Sequence, residues 1–118
     1  MAFSDRERAL AEWCRSSGAE AFAVIDRDGR TVAGSLPPHL RTELFGVVCA
    51  TMFGAAAAAT AELGDSLPAY VQIRTEGRQT ILAPFGPQSL LCVVAGTDLS
   101  PPQILEGASH LWELGPTR

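Results

Sequence analysis

Residues 44–59 read LFGVVCATMFGAAAAA, a stretch without a single charged side chain. Polar residues gather on either side of it, and Pro38 and Gly64 bracket the whole segment. Proline suits the first position of a helix and glycine suits its end, so the sequence predicts one helix over residues 38–63. Such a helix would be about 38 Å long at 1.5 Å per residue, which is long for so small a chain.

The predicted long helix is apolar on more than one side. A surface helix usually carries one apolar stripe and one polar face, but Val47, Met52 and Phe53 cannot all reach the same sheet. A row of small residues also recurs at every fourth position: Gly46, Ala50, Gly54 and Ala58. Small residues let another backbone approach closely, so we expect the same helix of a second copy to pack there. The alternative is that the alanines are favourable helix formers that face solvent.

Apolar runs on either side of this helix predict the strands of a sheet. Residues 21–25 and 89–95 are continuously apolar, which is typical of strands buried on both faces. The turn sequence DRDG at residues 26–29 leads to a shorter strand over residues 31–33, with Gly29 at positive φ. Residues 69–75 alternate in polarity, and residues 78–83 return as the partner strand of a second hairpin.

Helices are predicted at both ends of the chain. Ser4 with Glu7, and Ser100 with Gln103, each have the spacing of a capping box. Gly18 closes the first helix, and Gly115-Pro116 closes the last. The inward stripe of the last helix comprises Ile104, Leu105, Ala108, Leu111 and Trp112.

The order of elements is α-β-β-α-β-β-β-α, which predicts a single α/β (α+β) domain over residues 1–118. The sheet should have five strands and be mostly antiparallel, with the two continuously apolar strands at its centre. The long helix should cover one face and the two terminal helices the other, because each apolar face must be buried against another element.

The alternating strand over residues 69–75 should lie at a sheet edge. It has one charged side chain and no internal proline, so little protects it from pairing with another chain. We therefore predict that a second copy pairs there, which would join two sheets into one of ten strands. The predicted interface in this strand comprises Tyr70, Val71, Gln72, Ile73 and Arg74. The alternative is an edge covered by a loop.

Composition excludes several classes of partner. The net charge is −4 and the pI is near 5.0, whereas a nucleic-acid-binding domain would show a basic patch. The same acidic charge balance argues against a polybasic segment that would bind an anionic membrane. The first residues lack the apolar region of a signal peptide, and glycines and polar residues interrupt the longest apolar run. We expect a cytoplasmic protein, without direct membrane insertion, whose three cysteines are reduced.

No set of residues has the spacing of a catalytic, cofactor or metal site. The sequence contains no phosphate-binding loop and no dinucleotide fingerprint. His39, His110 and the cysteines lack ligand spacing. Cys49 has apolar neighbours, which predicts a raised pKa rather than a nucleophile. Asp26 and Asp28 are explained by turn formation. We therefore expect no enzyme activity and no cofactor.

Residues 18–29, GAEAFAVIDRDG, resemble the first hairpin of the roadblock family, the dynein light-chain roadblock-type domains and their prokaryotic relatives. The likeness continues through the alanine-rich helix and the strand pair at residues 70–82 to the apolar strand at residues 90–95. It implies a homodimer made through the long helix and the edge strand. It also implies that a small Ras-like GTPase binds across the paired long helices. Some relatives stimulate GTP hydrolysis by the bound GTPase and supply no catalytic residue of their own. The implied partner-binding positions are Arg41, Thr42 and Thr51.

A second function remains open at this point. A profilin-like sensory module would hold a small ligand in a cavity lined by Phe22, Phe53 or Trp112. The sequence also leaves three questions open: which GTPase is bound, whether the protein activates it or only tethers it, and whether a paralogue replaces one subunit of the dimer.

Overall fold

The computed structural model describes the backbone of residues 5–113 and the side chains of residues 8–110. Ser4 and Gly115-Pro116 lie outside the described residues, as do the side chains of Glu7, Leu111 and Trp112. The observed elements confirm the predicted order: α1 Asp5–Ser17, β1 Ala21–Asp26, β2 Thr31–Ser35, α2 Thr42–Glu62, β3 Val71–Arg74, β4 Gln79–Pro84, β5 Ser89–Ala95 and α3 Pro101–Glu113.

The sheet has the strand order β2-β1-β5-β4-β3, and every neighbouring pair is antiparallel. The two continuously apolar strands, β1 and β5, pair with each other over their whole length, from Ala21↔Val94 to Asp26↔Ser89. β5 is the central strand, and β3 lies at an edge, as its alternating pattern predicted. β2 forms the opposite edge.

Each face of the sheet is covered by helices. α1 and α3 pack on one face, around Leu10, Ile81, Leu91 and Ile104, which are almost completely buried. α2 packs on the other face, where Cys49 and Phe53 meet small and medium side chains of β1, β4 and β5: Ala23, Ile25, Leu82 and Cys92. The predicted layers are therefore confirmed.

The β1–β2 turn forms as its sequence predicted. The Asp26 carboxylate accepts hydrogen bonds from the backbone N–H groups of Asp28 (3.0 Å) and Arg30 (2.9 Å). Gly29 has a φ of +90°, which few side-chain-bearing residues adopt. The turn thus explains Asp26 and Gly29 without any catalytic role.

The capping box at the start of α3 is also confirmed. The hydroxyl of Ser100 accepts a hydrogen bond from the backbone N–H of Gln103 at 3.3 Å. The Gln103 side chain in turn accepts one from the backbone N–H of Ser100 at 3.0 Å. Pro101 occupies the first helical position.

The boundaries of three elements were predicted wrongly. β2 extends to Ser35 rather than to residue 33. α2 begins at Thr42 rather than Pro38, because Pro37 accepts a hydrogen bond from the Leu40 N–H and starts a turn instead. Arg41 is extended, with φ −79° and ψ 93°, and caps the helix without a side-chain hydrogen bond. β3 is shorter than residues 69–75, so Tyr70 lies just before the strand.

The sequence did not indicate that one polar side chain, that of Gln79, is buried. Gln79, 1% exposed, donates hydrogen bonds to the carbonyl of Gly96 at 2.8 Å and to that of Leu99. Its own side-chain oxygen accepts one from Gln72 at 3.0 Å. Gln79 therefore ties edge strand β3 and the β5–α3 loop to the middle of the sheet.

Candidate interaction surface on α2 and β3

The side of α2 that points away from the sheet is apolar and exposed. Leu44, Val47 and Val48 are 48%, 50% and 44% exposed, although large apolar side chains usually lie inside. Further along the helix the same side carries small exposed residues. We call these residues together the outward face: Leu44, Val47, Val48, Thr51, Gly54, Ala55 and Ala58.

By length and composition alone, α2 could cross a membrane, contrary to the expectation drawn from its interrupted apolar run. Only 17% of its most apolar window is buried within the chain. Its inner side nevertheless packs on the sheet through Cys49 and Phe53, and the radius of gyration, 13.7 Å, is that of a compact domain of this length. A single face of α2 is therefore left for a partner.

The predicted row of small residues does not lie on one side of α2. Residues four apart on an α-helix are offset by about 40°, so such a row winds around the helix. Gly46 is buried, Ala50 is half-buried, and Gly54 and Ala58 are exposed. The prediction that Gly46 faces a partner was wrong, whereas Gly54 and Ala58 do lie on the outward face.

Gly46 instead allows α2 to lie very close to the β1–β2 turn. A Cβ atom built on Gly46 would lie 2.1 Å from the carbonyl oxygen of Gly29, and one built on Gly29 would lie 2.7 Å from Cα of Val47. Both distances are below any real contact, so only two glycines allow the backbones to approach this closely. The contact fixes the first half of α2 and the direction of its outward face.

The start of α2 carries charges of both signs, and its end carries only negative ones. Arg41 and Thr42 are exposed at its start, together with Glu43, and Glu62 and Asp65 are exposed at its end. Thr51 lies midway on the outward face, and its hydroxyl donates a hydrogen bond to the Val47 carbonyl at 2.7 Å. Of the three predicted partner-binding residues, two therefore lie at one end of α2 and the third at its centre.

The side chains of edge strand β3 are less exposed on the face of the sheet that α2 covers than on the opposite face. Val71 packs on the α2 side of the core, and Ile73, on the same face, is half-buried. Gln72 and Arg74 point to the opposite face, where Gln72 binds the buried Gln79. Tyr70 is 37% exposed just before the strand.

The arginines of the hairpin tips differ in their partners. Arg30 pairs with Asp26 at 3.5 Å, and Arg78 pairs with Glu20 at 3.1 Å. Arg27 instead donates hydrogen bonds from Nε and Nη2 to the carbonyl of Pro87, at 3.2 and 2.7 Å. The structure thus joins the tips of two hairpins that are 60 residues apart in sequence.

The described residues contain no cluster of His, Cys, Asp and Glu that could hold a metal ion. Cys14 is buried against α3, and burial raises the pKa of its thiol to about 12. The thiols of Cys49 and Cys92 are hydrogen-bonded to each other across the α2–β5 contact.

That hydrogen bond lowers the pKa of Cys49, while burial opposes the effect; the same bond and burial together raise the pKa of Cys92. The prediction that the Cys49 pKa is raised was therefore wrong. Both thiols are 0% exposed, which leaves no path for a substrate to a nucleophilic sulfur.

The side chain of Trp112, one of the three aromatic residues expected to line the cavity of a profilin-like module, lies outside the described residues. The other two do not share a cavity: Phe22 lines one of about 330 Å³ and Phe53 another of about 250 Å³. Phe22 lies in the core under α1 and α3, whereas Phe53 lies in the core under α2, on the other face of the sheet. Phe53 lines a groove that opens to solvent beside α2.

A family model described as the Roadblock/LC7 domain matches residues 6–95, more than three-quarters of the chain. The chain belongs to the Roadblock/LC7 family. An uncharacterised protein of Methanocaldococcus jannaschii, MJ0714, is 31% identical over 80 residues, which cover 68% of each chain. Roadblock/LC7 domains are regulatory or scaffold domains, so membership supports such a role for this chain rather than a catalytic one.

Solved structures of roadblock proteins share the fold. MglB of Myxococcus xanthus superimposes with a TM-score of 0.83 at 12% identity, covering 97% of each chain. A structure of MglB with a tetrameric arrangement gives a TM-score of 0.78 at 20% identity, covering 97% of this chain and 90% of that one. At these identities the likeness concerns the fold alone.

Proposed function

We propose that this Roadblock/LC7 protein is a non-catalytic homodimer that regulates a small Ras-like GTPase or serves as its scaffold. The observation that carries the proposal is the outward face of α2, an apolar surface that the rest of the chain leaves uncovered. Large exposed apolar patches mark interaction sites in soluble proteins. A two-fold dimer would bury this face, because such an interface uses the same patch of both copies.

The outward face is complementary to itself when two copies of α2 run antiparallel. Its first half carries large side chains, and its second half carries small ones, with Thr51 between them. A two-fold axis near Thr51 would set Leu44 and Val48 of one copy against Gly54 and Ala58 of the other. Large side chains would then fill the space over small ones, as a well-packed interface requires.

The charges at the helix ends favour the same orientation. Arg41 lies ten residues before Thr51, and Glu62 lies eleven residues after it. The antiparallel pair would therefore place Arg41 of each copy near Glu62 of the other, whereas a parallel pair would juxtapose like charges. Exposed ion pairs contribute little affinity but favour one orientation over another.

Pairing of β3 with its own copy would extend the same interface, with Tyr70, Val71, Gln72, Ile73 and Arg74 as its residues. A stable interface of ordinary size buries roughly 1,600 Å² in total, which a helix face and a strand edge from each copy can supply. Ala50 lies at the border of the outward face and stays a predicted contact.

The GTPase is proposed from the family rather than from a residue motif. With Thr51 at the dimer axis, we assign it to the contact between copies and not to the GTPase. Arg41 and Thr42 remain the proposed GTPase contacts, because they lie exposed at the ends of the paired helices. The protein would act in the cytoplasm and supply no catalytic residue.

The dimer is tested by the substitution Thr51→Arg. Two arginines would meet at the axis, so we expect light scattering to show the mass of a monomer with an unchanged circular dichroism spectrum. Ser109→Arg, which adds the same charge to the exposed side of α3, is the control and should leave the dimer intact. A Thr51→Arg protein that stays dimeric would contradict the proposed axis.

The GTPase contact is tested with a small Ras-like GTPase from the same organism, taken from the neighbouring genes where they encode one. We expect the two to coelute in gel filtration when the GTPase carries a GTP analogue, and Arg41→Glu to weaken binding about tenfold while light scattering still shows a dimer. Phosphate release during GTP hydrolysis then separates an activator from a scaffold. Absence of coelution in both nucleotide states would remove the GTPase from the proposal and leave the dimer standing.

A further inference from the structure

A groove runs beside the second half of α2, between this helix and the β4–β5 turn. Its volume is about 250 Å³, and it opens to solvent. Phe53 and Ala57 of α2 form one wall, Pro84 and Leu90 form the other, and Leu67 stands at the rim. Leu67 is 63% exposed, so a large apolar side chain at the mouth of the groove is left without cover.

Among the residues that the structure describes, Arg27 is the one charged residue in the groove lining. Its guanidinium is held in place by two hydrogen bonds to the Pro87 carbonyl, an uncharged acceptor. The neighbouring Asp26 is engaged by the turn and by Arg30, and among the described residues no ion pair joins Arg27 to a carboxylate. The groove therefore combines apolar walls with an exposed guanidinium that forms no ion pair within the described part of the chain.

The size of the groove decides what it can hold. Sites for cofactors and drug-sized ligands have volumes of roughly 300–1,000 Å³, above that of this groove. A cavity of about 150 Å³ already holds benzene, so the groove has room for one large side chain. A single aromatic or aliphatic anchor in such a pocket often carries much of the energy of a protein interface.

We propose that this groove binds an acidic, apolar segment of a partner protein, with one large side chain between the walls and an adjacent carboxylate on Arg27. The charge favours this occupant because a guanidinium with free N–H donors binds carboxylates strongly. Ala50 and Gly54 of the lining are also proposed dimer contacts, whereas the other lining residues lie to the side of the outward face, so the site stays open beside the proposed homodimer.

The experiment titrates the protein with capped heptapeptides while the methyl signals of Ala57 and Leu90 are followed by NMR. The probe has a central phenylalanine flanked by two aspartates. We expect saturable shifts with a Kd near about 1 mM, as for a single anchor residue. Replacing the phenylalanine by alanine, or both aspartates by lysine, should weaken binding at least about tenfold.

Two matched variants test the role of the charge. Arg27→Glu should weaken binding of the acidic peptide at least about tenfold, whereas Arg30→Glu, the same change on the same turn, should alter it less than about twofold. Ala57→Trp fills the groove and should abolish the shifts. Equal binding of the acidic and basic peptides would overturn the proposal.

Occupancy by a second copy would give a different result. In that case the peptides would cause no shifts at Ala57 and Leu90, and Arg27→Glu would change the mass in light scattering. This outcome would also overturn the proposal, because it would assign the groove to the dimer. It is distinguishable from failure of the proposed dimer axis, which Thr51→Arg tests separately.

Discussion

The two helical layers of this protein differ in where they place their large side chains. Beneath α1 and α3, Leu10 and Ile104 are buried at 0% and 1% exposure. In α2 the buried residues are Gly46, Cys49 and Phe53, while Leu44 and Val47 stay about half exposed. α1 and α3 thus direct their apolar side chains inward, and α2 directs them to both sides.

A helix that is apolar on both sides belongs between two layers. The sheet supplies only one of them for α2, and glycine contacts at the β1–β2 turn bring that layer unusually close. Apolar residues facing the sheet, Cys49 and Phe53, and apolar residues facing outward, such as Val47, are thus expected of a helix that packs on its own sheet and on another chain. The α1–α3 layer needs no such second partner.

The largest expected effect is a loss of stability from a substitution in the α1–α3 layer. Ile104→Ala removes a buried side chain, so we expect the free energy of unfolding to fall by about 2–5 kcal/mol, as for other such truncations. Val48→Ala on the outward face should affect the isolated chain by less than about 0.5 kcal/mol but weaken the dimer. Urea unfolding at two protein concentrations tenfold apart separates the two effects. Equal losses in both variants, independent of concentration, would show that the layers do not differ.

Two glycines of α2 sharpen the contrast between its sides. Gly46→Ala should lower the free energy of unfolding by about 1–3 kcal/mol, because the new Cβ meets the Gly29 carbonyl. Gly54→Ala is the matched control: nothing lies within 4 Å of its Cβ position, and alanine should stabilise the helix by about 0.5–1 kcal/mol. Thermal and urea unfolding measure both. The same sign for the two variants would contradict the assigned orientation of α2.

The smallest effect concerns the thiol of the α1–α3 layer. The pKa of Cys14 is raised from about 9 to about 12, so the unfolded chain releases this proton first as the pH rises. Stability from this group is complete below pH 9 and is lost as the pH rises from 9 towards 12. Cys14→Ala should make the alkaline decline of the unfolding free energy less steep. An unchanged slope would show that Cys14 is not protected by burial.

Features fixed by neighbours in sequence could be predicted. The Ser100–Gln103 capping box and the Asp26 turn each depend on groups within four residues, so their residue types suffice to identify them. The inner positions of β1 and β5 and the edge position of β3 followed from the contrast between continuous and alternating apolar runs. The start of α2 was missed because Pro37-Pro38 has the same local preferences in a turn as at a helix terminus.

Features that depend on distant contacts could not be predicted. The apolar residues of α2 surround the helix, so the sequence did not show which side meets the sheet, and Gly46 was assigned to the wrong one. The hydrogen bonds of Arg27 to Pro87 and of Gln79 to Leu99 join residues distant in sequence. Both residues of the first contact, Arg27 and Pro87, line the groove beside α2, so the sequence did not indicate the groove either.

The central claim, that a second copy covers the outward face of α2, is tested most directly by sedimentation equilibrium. The chain mass is 12.5 kDa, and we predict twice that mass at micromolar concentrations and above, with hydrogen exchange slowed at residues 47–58 relative to the Thr51→Arg protein. A mass of 12.5 kDa at the highest concentrations, with the outward face open to solvent, would contradict the account.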